Sequence, residues 1–174
     1  MASQLRVDKI LPVEGAPTSG GGGIIQIVSA TKTGRQESTS ATFADVSDMS
    51  VSITPKFSSS KIYIAVNTHV GGVSASYIGF KVLRDSTVVT QGTHPTGSRT
   101  PVSFGGRIDA DYDNYTMAFN FLDSPSSTSS TTYKVQFASV HSSRKVVING
   151  TGDDADANYT LSGTSTITVM EVSA

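Results

Sequence analysis

Apolar and polar residues alternate with a period of two along most of this chain. Ile62, Ile64 and Val66 alternate with polar or small residues, and the same spacing recurs over residues 78–82, 115–121 and 133–137. Side chains two positions apart lie on one face of a strand. The alternation therefore predicts β-strands, each with one face toward a core.

Further apolar runs lie at 24–28, 49–53, 102–108, 146–148 and 167–172, which brings the total to about nine predicted strands. Segments rich in Gly, Pro, Ser and Asn separate them, as expected for turns. No segment of about ten residues has the 3.6-residue period of a helix between credible caps. Short strands with turn signals of this kind predict an all-β sandwich, of jelly-roll type.

The chain divides near residue 23. Residues 1–23 contain two prolines and end in the run Gly20–Gly23, a joint without side chains to pack. Their apolar residues, Leu5, Val7, Ile10 and Leu11, are too few to form a core. This predicts an extended N-terminal arm (1–23), which is either a disordered tail or an anchor ordered by a partner, followed by a sandwich head domain (24–174).

Two strands are apolar on both faces. On the last strand Met170 and Val172 lie opposite Ile167 and Val169, and Leu83 lies on the opposite face to its apolar neighbours. Strands apolar on both faces are usually covered on both. These positions predict a subunit interface, and the alternative is scattered surface apolar residues, which need no explanation.

Charge and composition narrow the classes of function. The formal net charge is -1 and only 16% of residues are charged, so the basic surface that binds nucleic acid is absent. No apolar run approaches the roughly 20 residues that span a bilayer, so we expect no membrane insertion. The N-terminus lacks the apolar core of a signal peptide, which predicts synthesis in a cytoplasm. Without Cys, disulfides and thiol chemistry are excluded.

No residue pattern indicates an enzyme. Residues 72–76 resemble a nucleophile elbow, but serine replaces the second glycine and no helix follows. The three histidines are far apart in the sequence, with no spacing that would place two on one metal ion. We therefore expect no catalytic residues.

Two acidic clusters are candidate ligand loops. In each cluster every second residue is an acid or an amide, as at the start of a calcium-binding loop. The Gly and Glu found later in such a loop are missing. A tyrosine in each cluster could supply a flat face for a sugar. The alternative is a pair of solvated turns. The candidate residues are Asp109, Asp111, Tyr112 and Asp113 in one cluster and Asp154, Asp156, Asn158 and Tyr159 in the other.

Several segments resemble small virion structural proteins of marine tailed bacteriophages. At the N-terminus these are LRVDKI (5–10), PVEG (12–15) and the glycines before IIQ (24–26). Farther on they are FADVSDMSVSITP (43–55), SSSKI (58–62), FKVLRDS (80–86), FLDSPS (121–126), TTYKVQ (131–136) and STITVMEV (165–172). The last two are the most specific. Together they are similar to a recurring tail-fibre and head-fibre domain.

The resemblance implies a homotrimeric jelly roll, similar to the globular heads of complement and tumour-necrosis-factor proteins, and no catalytic residues. We expect a virion component of fibre or spike type that attaches to other virion proteins, capsid or tail, through Leu5, Val7, Ile10 and Leu11. Its loops would face outward, with host-surface polysaccharide as a candidate ligand. The alternative is a capsid decoration protein with no host-binding role.

Overall fold

The computed structural model of the chain describes residues 23–94, 97–141 and 143–173, and all regular structure within them is β-strand. No helix in these ranges is long and apolar enough to cross a membrane. The strands are β1 (Ile24–Lys32), β2 (Gln36–Ser38), β3 (Ala44–Ile53), β4 (Lys61–Gly72), β5 (Ser76–Arg84), β6 (Thr87–Val88), β7 (Phe104–Ile108), β8 (Asn114–Asp123), β9 (Thr131–Ser139), β10 (Val146–Ile148) and β11 (Ser165–Val172).

The strands form two antiparallel sheets. The six-stranded sheet has the order β1-β11-β4-β10-β2, and β8 pairs with the other edge of β4. The five-stranded sheet has the order β3-β9-β5-β6, and β7 also pairs with β5. The two sheets pack face to face, which confirms the predicted all-β sandwich, an architecture consistent with a jelly roll.

The core lies between the two sheets. It consists of the side chains that face inward on each alternating strand. On β4 Ile62, Ile64 and Val66 are buried, and on the neighbouring strand β11 Ile167 and Val169 lie beside them on the same face of the sheet. Burying one such side chain is worth about 1.5–3 kcal/mol. Three phenylalanine rings extend the core between the sheets: Phe104 stacks on Phe80, with centroids 4.5 Å apart, and on Phe119, at 5.4 Å.

Eight of the nine predicted strands fall within observed ones, and the ninth, 102–108, begins two residues before β7. Two short strands were not predicted. β2 is polar throughout and β6 has only two residues, so neither shows an alternation to detect. The inference from Leu83 was wrong. Leu83 pairs with Val88 of β6 and is only 6% exposed within the single chain, so it offers no surface to a second subunit.

The sandwich has two distinct ends. At one, which we call the termini end, the Ser173 amide donates to the Gly23 carbonyl at 3.2 Å, so both ends of the described head lie together. The turns at 54–60 and 124–130 lie at this same end. At the other, the loop end, lie the connections 73–75, 109–113 and 149–164. The predicted attachment residues Leu5, Val7, Ile10 and Leu11 lie outside the described residues.

Candidate functional site

The structure brings the two acidic clusters together at the loop end. One lies in the β7–β8 connection and the other in the β10–β11 connection. The Asp153 amide donates to the Asp111 carbonyl at 3.1 Å, and the rings of Tyr112 and Tyr159 meet edge to face with centroids 5.1 Å apart. Residues far apart in sequence thus form one surface, with both tyrosine rings more than half exposed.

The carboxylates of the first cluster are engaged in shaping their own loop. Asp113 accepts hydrogen bonds from the Ala110 amide at 2.8 Å and from the Tyr115 hydroxyl at 3.0 Å. Asp111 accepts from the Ser74 amide at 2.6 Å, which ties the β4–β5 turn to this loop. Short polar side chains commonly close turns in this way. The alternation of acids therefore has a structural use that requires no ligand.

Hydrogen bonds and nearby charge also act on the tyrosines. The hydrogen bond to Asp153, together with its charge, raises the pKa of Tyr112. In the same way Asp113 raises the pKa of Tyr115. Both phenols therefore stay protonated at neutral pH and act as hydrogen-bond donors.

Arginines neutralise part of the acidic surface. Arg107 Nε lies 3.1 Å from the Asp109 carboxylate, and Arg35 Nε lies 3.4 Å from that of Asp154. Exposed pairs of this kind contribute at most about 1 kcal/mol. Among the described residues no three His, Asp or Glu side chains lie close enough to hold a metal ion. Calcium binding here stays a prediction, and the ion would need main-chain or amide oxygens as well.

Glycines explain how closely the β10–β11 connection approaches β4. A Cβ on Gly71 would lie only 2.2 Å from the Gly150 carbonyl oxygen, and one on Gly152 only 2.1 Å from the Gly72 carbonyl oxygen. Backbone therefore packs directly on backbone here. This packing accounts for both Gly150 and Gly152 in the β10–β11 connection.

Four large side chains form a line across the outer face of the six-stranded sheet at the termini end. We call this line the apolar row. Ile27 pairs with Met170, Met170 with Tyr63, and Tyr63 with Leu122, so the row crosses four strands. Ile27 and Leu122 are 58% and 51% exposed. Ile27 of this row lies three residues after Ile24, where β1 begins.

Buried charges fix the strands at this same end. The Glu171 carboxylate accepts hydrogen bonds from Gln26 Nε2 at 2.5 Å and from the Lys56 amide at 2.7 Å, and it is fully buried. Burial raises the pKa of Glu171, but these hydrogen bonds outweigh it and hold the pKa below its ordinary value. Glu171 thereby clamps β1 and the β3–β4 turn to β11.

A second buried cluster joins the two sheets. Arg84 of β5 donates to both carboxylate oxygens of Asp123 on β8, at 2.9 and 2.7 Å, and the Tyr133 hydroxyl donates to the same carboxylate at 2.7 Å. Burial, strengthened by the hydrogen bond to Asp123, raises the pKa of Tyr133 far above its ordinary value. Neither buried cluster was predicted, although an acid at an inward position of a strand alternation, as Glu171 is, was a usable signal.

A cleft that was not predicted lies on the outer face of the five-stranded sheet, toward the loop end. Its volume is about 680 Å³, and Tyr77, Arg99, Arg107, Val140 and His141 are among its lining residues. Tyr77 meets the His141 ring edge to face at 5.1 Å, and the Arg107 guanidinium lies 5.8 Å from the Tyr77 ring centroid. The lining comes from three separated segments, so no single motif could have indicated it.

Comparisons with known proteins give little further information. No family model matches the chain, and no curated protein matches it. Among solved structures, it is similar to a chain in a structure of the infectious bursal disease virus Gx strain, with 13% identity and a TM-score of 0.43. The match covers 97% of this chain and 44% of that one. A similarity this weak says nothing about what the chain does.

Proposed function

We propose that this chain is a bacteriophage virion structural protein, a trimeric component of fibre or spike type. The N-terminal arm attaches it to the capsid or tail of the particle, and the loop end of the head faces outward, where it can contact host-surface glycans. The observation that carries this proposal is the polarity of the sandwich. The arm leaves at the termini end beside the apolar row, and the exposed loops lie at the opposite end.

The apolar row supports the trimer. Large apolar side chains that cross four strands of an outer sheet face are unusual for a surface in contact with water. Copies arranged around one axis would bury these residues against each other. They would also place their arms side by side, and several weak anchors acting together bind far more tightly than one.

A capsid decoration protein with no host-binding role is the second candidate. The loop-end carboxylates favour it, because Asp111 and Asp113 are engaged in closing turns and Asp109 and Asp154 are paired with arginines. A passive cap on the shell needs such turns and no ligand. Attachment through the arm is common to both candidates.

Attachment is tested by changing the arm alone. Replacing Leu5, Val7, Ile10 and Leu11 by serine should leave the melting temperature of the head unchanged and reduce its copies per purified particle to background, as counted by quantitative mass spectrometry. The matched control replaces the intervening polar residues Arg6, Asp8 and Lys9 by serine and should incorporate normally. Normal incorporation of the apolar variant would refute attachment through the arm.

Calorimetry separates the two candidates. For the fibre type, calcium or host-surface polysaccharide should release heat on binding, and binding should weaken when Asp109, Asp111, Asp113, Asp154, Asp156 and Asn158 become alanine. For the decoration protein, neither ligand gives heat, and infectivity survives the same six substitutions.

A further inference from the structure

The cleft on the five-stranded sheet has the form of a binding site. Its volume of about 680 Å³ lies within the range of roughly 300–1,000 Å³ common for ligand sites. Gly79 and Gly105 pair across β5 and β7 beneath it. The Val102 and Val140 side chains pack over Gly79, each 2.8 Å from where a Cβ would lie, and give the cleft an apolar base.

The lining of the cleft is basic and aromatic. Arg99 and Arg107 both contribute to it, and none of the described residues that line it is acidic. The Tyr77 ring contacts both the His141 ring and the Arg107 guanidinium. Asp109 pairs with Arg107 Nε from outside the lining, so this arginine joins the cleft to the acidic loops.

We infer that this cleft binds an anionic glycan, a sugar bearing a carboxylate or a phosphate. A planar guanidinium matches either anion through paired hydrogen bonds. The Tyr77 ring offers an apolar face beside a polar edge, which suits the flat side of a sugar ring. The inference rests on the proposed function, because a cleft toward the loop end reaches a host surface only if that end faces outward.

The experiment uses the full chain and three polymers. Polygalacturonate supplies carboxylates, phosphomannan supplies phosphates, and dextran is the neutral control. We expect calorimetry to detect binding of at least one anionic polymer and none of dextran. The double variant Arg99→Gln with Arg107→Gln should weaken that binding by about tenfold or more. Tyr77→Ala, which keeps both charges, should weaken it by about threefold or more.

The matched control is Lys134→Gln. It removes one positive charge from the same outer sheet face, outside the cleft lining, and should change affinity by less than about twofold. Binding of only one anionic polymer supports the inference and identifies the anion. Binding of neither polymer, unchanged affinity in the arginine variant, or an equal loss in Lys134→Gln would each overturn it.

Two further measurements keep the outcome interpretable. Melting curves should show that the arginine variant folds, as expected because the Arg107 side chain is half exposed. Incorporation of this variant into particles should be normal. If the wild-type chain incorporates normally but binds neither anionic polymer, the cleft inference alone is overturned, whereas the arm substitutions test the proposed function separately.

Discussion

The carboxylates at the two ends of the sandwich differ in how far they are buried. At the termini end Glu171 and Asp123 are buried and hydrogen-bonded to groups on other strands or turns. At the loop end the Asp109 and Asp154 side chains, each paired with an arginine, are 60% and 72% exposed. Removing one partner of a buried pair is costly because it leaves an uncompensated group, whereas exposed pairs contribute little.

Because of this difference, we expect the fold to depend on the charged residues of the termini end and to tolerate substitutions at the loop end. Substitutions among exposed loop charges leave the core intact, so the loop end can vary in sequence without loss of fold. At the termini end Glu171 links β1 and the β3–β4 turn to β11, close to the start of β1. The proposed attachment through the arm requires such a base.

The largest effect should come from the apolar row. Ile27→Lys with Leu122→Lys should convert the assembled protein to monomers, a loss of two thirds of its mass if it is a trimer, because charges cannot be buried unpaired between copies. Both side chains are exposed in the single chain, so its stability should barely change. Analytical ultracentrifugation at micromolar concentration measures the mass.

The control for the row is Thr116→Lys. Thr116 also lies on the outer face of β8 but near the loop end, opposite His69. It should leave the mass unchanged. A wild-type protein that sediments as a monomer would refute the role of the row, and so would an oligomer that survives the double substitution.

The buried Asp123 should give the next largest effect. Asp123→Ala leaves Arg84 and Tyr133 without their shared acceptor, and we expect a loss of about 3 kcal/mol in the free energy of unfolding. Urea denaturation measures it. Asp109→Ala at the loop end should cost less than about 1 kcal/mol. Equal losses of unfolding free energy in Asp123→Ala and Asp109→Ala would contradict the difference between the two ends.

Acid should weaken the termini end through Glu171. Its pKa is lowered in the folded state, so its stabilising contribution is present above the unfolded pKa of about 4.3 and is lost as pH falls through the folded value. Glu171→Gln should cost about 1–2 kcal/mol at pH 7 and flatten the decline in stability below about pH 5.

Urea denaturation between pH 3 and pH 7 tests this sign. Asp45, whose pKa the hydrogen bond from Lys134 lowers, contributes a component of the same sign, which should remain in the variant. A decline of equal steepness in wild type and Glu171→Gln would show that Glu171 has no such role.

The smallest effect should come from the loop end. Asp113→Ala removes the acceptor for the Ala110 amide and the Tyr115 hydroxyl, and should cost about 1 kcal/mol because both donors can turn to water. Asp156→Ala, at an exposed position in the neighbouring loop, should change stability by less than about 0.5 kcal/mol. Thermal melting compares the two variants. A larger loss of stability in Asp156→Ala than in Asp113→Ala would contradict the role assigned to the hydrogen bonds of Asp113.

The strands were predictable and the sites only in part. Alternation is a local property of the sequence, so the strand that contains Ile62, Ile64 and Val66 could be predicted. The two residues of β6 are too few to show an alternation. The acidic loops were predicted as separate clusters, but their contact through Tyr112 and Tyr159 depends on how β7, β8, β10 and β11 are arranged. The cleft depends on tertiary structure entirely, since Tyr77, Arg107 and His141 belong to different segments.

The central claim is that the arm attaches the protein to a particle with the loop end outward. Antibodies raised against residues 153–161 and against residues 1–19 test it directly when applied to intact and to disrupted particles under the electron microscope. The account predicts that the loop antibody labels intact particles, whereas the arm antibody labels only disrupted ones. Labelling of intact particles by the arm antibody, or failure of the loop antibody to label them, would contradict it.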